Sequence, residues 1–75
     1  MSPLLPRVSG AELVRALLRA EFAKVSQRGS HAKLRHPDGR TVIVPLHPEL
    51  AAGTLHSILR AARWSVSDLL TFLGK

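Results

Sequence analysis

The sequence predicts an α+β domain: a helix, three antiparallel strands and a second helix in that order, with a short helix at the C-terminus. Three observations predict it. Apolar residues recur at helical spacing between Val8 and Phe22 and again between Gly53 and Arg63, and the stretch between them shifts to short strand-like runs. Two turn signals, Arg28-Gly29-Ser30 and Pro37-Asp38-Gly39, cut that middle stretch into three. A three-stranded antiparallel sheet covered by helices on one face leaves its other face open. Residues 1–8 read as a short N-terminal tail and residues 9–75 as one domain. With 75 residues and no cysteine, the chain has material for a single small core and no disulfide or thiolate site to reinforce it.

Each element has its own chemistry. Ser9 is a good N-cap and Glu12, three residues on, completes a capping box, while Val8 and Leu13 occupy the two positions of a hydrophobic staple. Leu13, Val14, Leu17, Leu18 and Phe22 share one side of the first helix, and Arg15 and Arg19 lie on another. The strand-like runs are Ala23 to Gln27, His31 to His36 and Arg40 to Pro45, joined by tight connections into a meander. Thr41-Val42-Ile43-Val44 is β-branched throughout, and Pro45, which has no N–H for the ladder, must end its strand or lie on an edge. Leu46 to Ala52 reads as a loop. Leu55, Ile58, Leu59 and Ala62 then form one face of the second helix, with His56, Arg60 and Arg63 on a neighbouring face. Ser65 with Asp68, and Trp64 with Leu69, repeat the box and staple and start a last helix through Leu73.

The charge points to the partner class. Eleven Lys and Arg against five acids give a net charge of +6, which favours a polyanion or an acidic protein. A helix lying on a membrane would set bulky apolar residues opposite a Lys-rich face. Here the cations run into the strands instead, so nucleic acid is the better reading and no membrane association is expected. Side chains alternate along a strand. If Val25 and Leu34 turn toward the helices, then Lys24, Arg28, His31, Lys33 and Arg35 gather on the open face as a patch suited to phosphates. One of Val42 and Ile43 must also face away from the helices. A merely solvated charged face is the alternative, and the convergence of four cations and a histidine on one hairpin weighs against it.

The four histidines lack HxxxH or HExxH spacing and have no cysteine partners, so neither a metal nor another cofactor is expected. Five acids along the whole chain argue against a two-carboxylate hydrolase, and no Gly-rich phosphate loop is present. Spacing alone would make a lone histidine a packing or surface residue.

Longer blocks change that balance. Arg28-Gly29-Ser30-His31, Arg35-His36-Pro37-Asp38-Gly39-Arg40, Val44-Pro45-Leu46-His47 and Gly53-Thr54-Leu55-His56-Ser57-Ile58-Leu59 together resemble the HicA toxin family, from Ser9 to about Leu73. The resemblance implies a double-stranded-RNA-binding-domain-like fold and an mRNA interferase, an endoribonuclease toxin cleaving mRNA without metal. It also implies neutralisation by a HicB-like antitoxin, and the absence of cysteine suits the reducing cytoplasm in which the protein is expected. The family's catalytic residue, the His of Gly-Ser-His, falls on His31. An imidazole titrates near neutrality and suits the removal of a proton from an RNA 2′-hydroxyl. Lys24, Arg28, Lys33 and Arg35, with Arg60 on the second helix, are the expected RNA contacts, and His47 is a candidate general acid. Where many members carry Gly after the first and second helices, this chain has Glu21 and Arg63, so these helices are expected to end without the left-handed cap that Gly supplies. A non-catalytic double-stranded-RNA-binding module has the same element order. A sequence-specific DNA reader of helix-turn-helix type is disfavoured, because the sheet separates the two helices.

Overall fold

The computed structural model describes residues 4–74. The first three residues of the expected tail and Lys75 at the end of the expected domain lie outside the described residues. The order is α1 (Gly10–Arg19), β1 (Ala23–Arg28), β2 (His31–Arg35), β3 (Thr41–Pro45), α2 (Ala52–Ala62) and α3 (Val66–Leu73). The strands form one antiparallel sheet in the order β1-β2-β3. This is the α+β, α-β-β-β-α arrangement expected, with the short third helix added. Pro45 is both the last residue of β3 and on an edge strand, so its missing N–H disturbs no ladder.

Both capping boxes form. Ser9 Oγ accepts from the Glu12 N–H at 3.0 Å while Glu12 Oε1 accepts from the Ser9 N–H at 2.9 Å. Ser65 and Asp68 repeat the exchange at 3.0 and 2.9 Å. Each satisfies two amide groups that a helix start otherwise leaves unpaired, a contribution of about 1 kcal/mol.

The core lies between the sheet and the helices. Leu13, Ala16 and Leu17 of α1, Ala32 and Leu34 of β2, Val42 and Val44 of β3, and Leu55 and Leu59 of α2 are all buried, with Leu69 of α3 beside them. Among the described residues no polar or charged side chain is buried, so the core carries no desolvation penalty of that kind. Leu18, expected on the same side as Leu13 and Leu17, stays 47% exposed at the margin of the helix face. Ahead of α1, Val8 is buried, and its carbonyl accepts from the Leu50 N–H at 2.9 Å.

The helix ends correct an expectation. Glu21 (φ 72°) and Arg63 (φ 58°) both adopt the left-handed conformation. After α1 the Phe22 N–H reaches the Leu17 carbonyl and the Glu21 N–H the Leu18 carbonyl; after α2 the Trp64 N–H reaches Leu59 and the Arg63 N–H reaches Arg60. These are the two bonds of a Schellman motif at each end. The helices therefore stop as they would with Gly, and the burial of Phe22 and Leu17 at the α1 end helps hold a backbone that disfavours a side chain.

The second correction is in β1. Lys24 pairs with Leu34, but Ser26 pairs with Lys33, so Val25 is an extra residue and the strand is bulged. Val25 does not reach the core and is 48% exposed. The bulge reverses the alternation on its N-terminal side. Lys24 now lies across from core residue Leu34, and its Nζ donates to Gln27 Oε1 at 2.6 Å, Gln27 lying across from buried Ala32. In an unbroken strand those two side chains would leave opposite faces. Lys24 is exposed at the sheet edge on the helix side, away from the open face on which alternation had placed it.

Candidate functional site

The open face is built by cross-strand neighbours. Arg28 lies across from His31 and His31 from Pro45; Ser26 lies across from Lys33 and Lys33 from Ile43. Residues paired in this way project on one side of a sheet. Ser26, Arg28, His31, Lys33 and Ile43 line an open groove of about 280 Å³. Ile43, 55% exposed, is the apolar residue of β3 that turns outward, while Val42 and Val44 turn inward.

His31 opens β2 directly after the two-residue turn Gly29-Ser30. Gly29 has φ 54°, a positive value that suits the first position of such a hairpin turn and disfavours a side chain. The turn also anchors the segment after β3, since the Leu46 N–H donates to the Ser30 carbonyl at 2.6 Å. From the other side the Gly10 N–H, at the start of α1, donates to the His47 carbonyl at 2.9 Å. Backbone bonds thus fix His47 beside the hairpin turn, and the His31 and His47 rings stand 6.4 Å apart at 73°.

Gly10 is the residue that sequence reasoning missed. A Cβ there would fall 2.0 Å from the Pro45 carbonyl oxygen and 2.7 Å from Leu46 Cα, a clash with backbone that no rotamer change relieves. Its sequence signal was a glycine directly after an N-cap serine, and its meaning depends on a loop far along the chain.

The other expected residues separate. Arg28 and Lys33 line the groove with His31. Arg35 lies on the same face at the far end of β2, its Nε donating to Thr41 Oγ1 at 3.2 Å. Arg60 is exposed on α2, which packs against β3 in the helix layer, and Lys24 is at the sheet edge. Neither joins the groove. His36 turns to the helix side, its ring edge-on to Phe22 at 5.1 Å and its Nδ1 accepting from the Asp38 N–H at 3.1 Å. Beside it, Arg40 Nε bonds the Asp38 carboxylate at 2.8 Å, an Arg40 N–H donates to the Ala62 carbonyl at 2.6 Å, and the guanidinium lies 5.1 Å from the Phe22 ring centre. The Arg40 guanidinium holds the Asp38 carboxyl down to about 2, helped by the Arg40 backbone N–H. This end of the sheet ties the β2–β3 turn to the C-terminus of α2, where a cation complements the helix dipole.

Among the described residues no three His, Asp or Glu side chains gather into a cation-binding set, and no helix is long and apolar enough to cross a membrane. A family model, that of the HicA toxin of bacterial toxin–antitoxin systems, matches residues 10–64. The chain belongs to the HicA toxin family. No curated protein matches it. The matched span covers α1, the sheet and α2, and it contains both corrected helix ends, so membership of the HicA family is compatible with Glu21 and Arg63 in left-handed conformation.

Proposed function

We propose that this HicA-family protein is an endoribonuclease toxin that cleaves messenger RNA, with His31 as the general base. The observation that carries the reading is the position of His31, exposed between Arg28 and Lys33 in a groove on the open sheet face. An RNA strand laid along that face would place its phosphates against the cations. The imidazole would take the proton of the 2′-hydroxyl next to the scissile phosphate, and the cations would offset the charge growing on phosphorus. The products are a 2′,3′-cyclic phosphate and a 5′-hydroxyl. The route uses the RNA's own nucleophile, so cleavage proceeds in EDTA. Such an enzyme works in the cytoplasm, where its substrate is.

A toxin of this kind is held inactive by its antitoxin. A HicB-like partner with an acidic surface would complement the same groove, and opposite fields would speed the encounter. Arg35 extends the cationic face, and Lys24 and Arg60 flank it from the edge and the helix layer. The test is His31→Ala. Cleavage of single-stranded RNA falls on the order of 10³-fold, while helix content and RNA binding stay near those of the parent. A folded His31→Ala protein that still cleaves would refute the assignment.

A further inference from the structure

The ribonuclease reading gives His31 one proton to accept and leaves open what protonates the departing oxygen. We propose that His47 is the general acid, donating to the 5′-oxygen as it leaves phosphorus. The inference rests on the ribonuclease reading and deepens it.

Three features of the loop after β3 support it. First, the loop is tied down by backbone hydrogen bonds on both sides of His47 and by the packing of Leu46 and Leu50 against the core. The Leu46 N–H is bonded to Ser30, one residue before His31, and the His47 carbonyl is bonded to Gly10. Pro45 and Pro48 fix φ on either side of the pair. Gly10 permits this approach only because it has no Cβ. Second, the His47 imidazole has no structural task. It is exposed, its ring lies beside that of His31, and it makes no side-chain hydrogen bond or ion pair among the described residues. Third, the spacing suits a shared substrate group. At 6.4 Å between ring centres the imidazoles are too far apart to bond each other, given that such a bond spans about 3 Å between heavy atoms. They are close enough to bond the attacking 2′-hydroxyl and the leaving 5′-oxygen on either side of one phosphorus placed between them. In-line displacement requires this, with the attacking and leaving oxygens on opposite sides of phosphorus. His31 belongs to the groove with Arg28 and Lys33, whereas His47 stands outside its lining, so base and acid flank the phosphate from two directions.

The step balances without any further reactant. The 2′-O–H proton passes to His31, the 2′-oxygen bonds phosphorus, and the P–O5′ bond breaks with its electron pair going to oxygen. That oxygen takes the proton of the His47 imidazolium. The enzyme is left with His31 protonated and His47 neutral, and exchange with water restores the starting state.

The test compares His47→Ala with His31→Ala on two RNAs of one sequence, one of them with sulfur in place of the bridging 5′-oxygen at the cleaved linkage. A thiolate leaves without a proton, so loss of the acid no longer matters. On ordinary RNA His47→Ala should cleave on the order of 10²-fold to 10³-fold more slowly than the parent. On the sulfur substrate it should recover to within about threefold, whereas His31→Ala stays slow on both. The side chain is exposed and the backbone makes the anchoring bonds, so the variant should keep the parent's thermal midpoint. An unchanged rate on ordinary RNA, or equal slowing on both substrates, would overturn the acid role and leave the ribonuclease reading standing. Inactivity of the parent protein on both substrates would overturn the two together.

Discussion

His31 and His36 stand at either end of β2 and have opposite surroundings. His31 faces the open groove, with Arg28 and Lys33 beside it and no side-chain hydrogen bond among the described residues. His36 faces the helices, with a side chain 17% exposed, a ring packed on Phe22 and a nitrogen bonded to the Asp38 N–H. Strand alternation separates them, and the two hairpin turns complete the contrast. The Gly29-Ser30 turn offers a carbonyl to a distant segment and leaves its histidine free, while the Pro37-Asp38-Gly39 turn consumes its histidine and Arg40 in local bonds. A histidine whose bonds are satisfied is part of the scaffold. One held by its backbone, with its ring nitrogens free of hydrogen bonds among the described residues, is available for chemistry.

The contrast can be broken most sharply by exchanging the losses. His31→Ala should remove cleavage with an unchanged thermal midpoint. His36→Ala should leave the rate of cleavage by folded protein nearly intact and lower stability by about 1 kcal/mol, the worth of an aromatic pair. Parallel denaturation and cleavage assays decide, and a His36→Ala protein as inactive as His31→Ala would erase the distinction.

Gly10→Ala tests the anchoring of the groove end. The added methyl must displace the Pro45–Leu46 backbone or the start of α1, at a cost of about 3 kcal/mol, read as the midpoint shift in urea. A shift below about 0.5 kcal/mol would mean that the contact relaxes freely.

A third comparison uses the bulge. Lys33→Glu, in the groove, should weaken RNA binding roughly tenfold and flatten its salt dependence, and it should slow association with the antitoxin. Lys24→Glu, at the edge, should do markedly less. Equal effects would place the RNA across the edge of β1 rather than along the open face.

Smaller effects are expected where the scaffold carries strain. Glu21→Gly and Arg63→Gly should each stabilise the protein by about 0.5–1 kcal/mol, because Gly adopts a positive φ without penalty; thermal midpoints measure it. The smallest change concerns Asp38. Its carboxyl titrates at about 2 in the folded protein against 3.8 ordinarily. The ionised form therefore favours folding above about pH 4, and that contribution disappears as pH falls toward 2. Asp38 is exposed, so the slope is shallow, and Asp38→Asn should remove it from the stability profile across that window.

What could be read from the sequence was whatever local chemistry settles. Ser9 with Glu12 and Ser65 with Asp68 announce their helices, and the Gly-containing turns announce the hairpins, because each signal acts within a few residues. Leu34 inside and His31 outside followed from alternation alone. Lys24 and Val25 did not, because alternation assumes a regular ladder and nothing in Lys24-Val25-Ser26 marks a bulge. Glu21 and Arg63 misled for a related reason. The usual cue for a left-handed cap is Gly, yet burial of Phe22 beyond α1 enforces the same conformation without it. Gly10 was hidden because its role depends on segments brought together only by folding, whereas His47 was legible as a candidate beside His31 and folding supplied only the backbone bonds that hold it there.

The bulge has one further consequence. A small protein whose sheet ends in an uncovered strand invites a neighbouring molecule to add another strand and, by repetition, to aggregate. β1 is such a strand, with all six of its residues exposed. The extra residue at Val25 breaks the even spacing of its free N–H and C=O groups, and Lys24 and Arg28 set a positive charge toward either end. An incoming copy would meet an out-of-step ladder and like charges. If the open face is where an antitoxin binds, as proposed, a toxin released from it can thus remain dispersed while that face is bare.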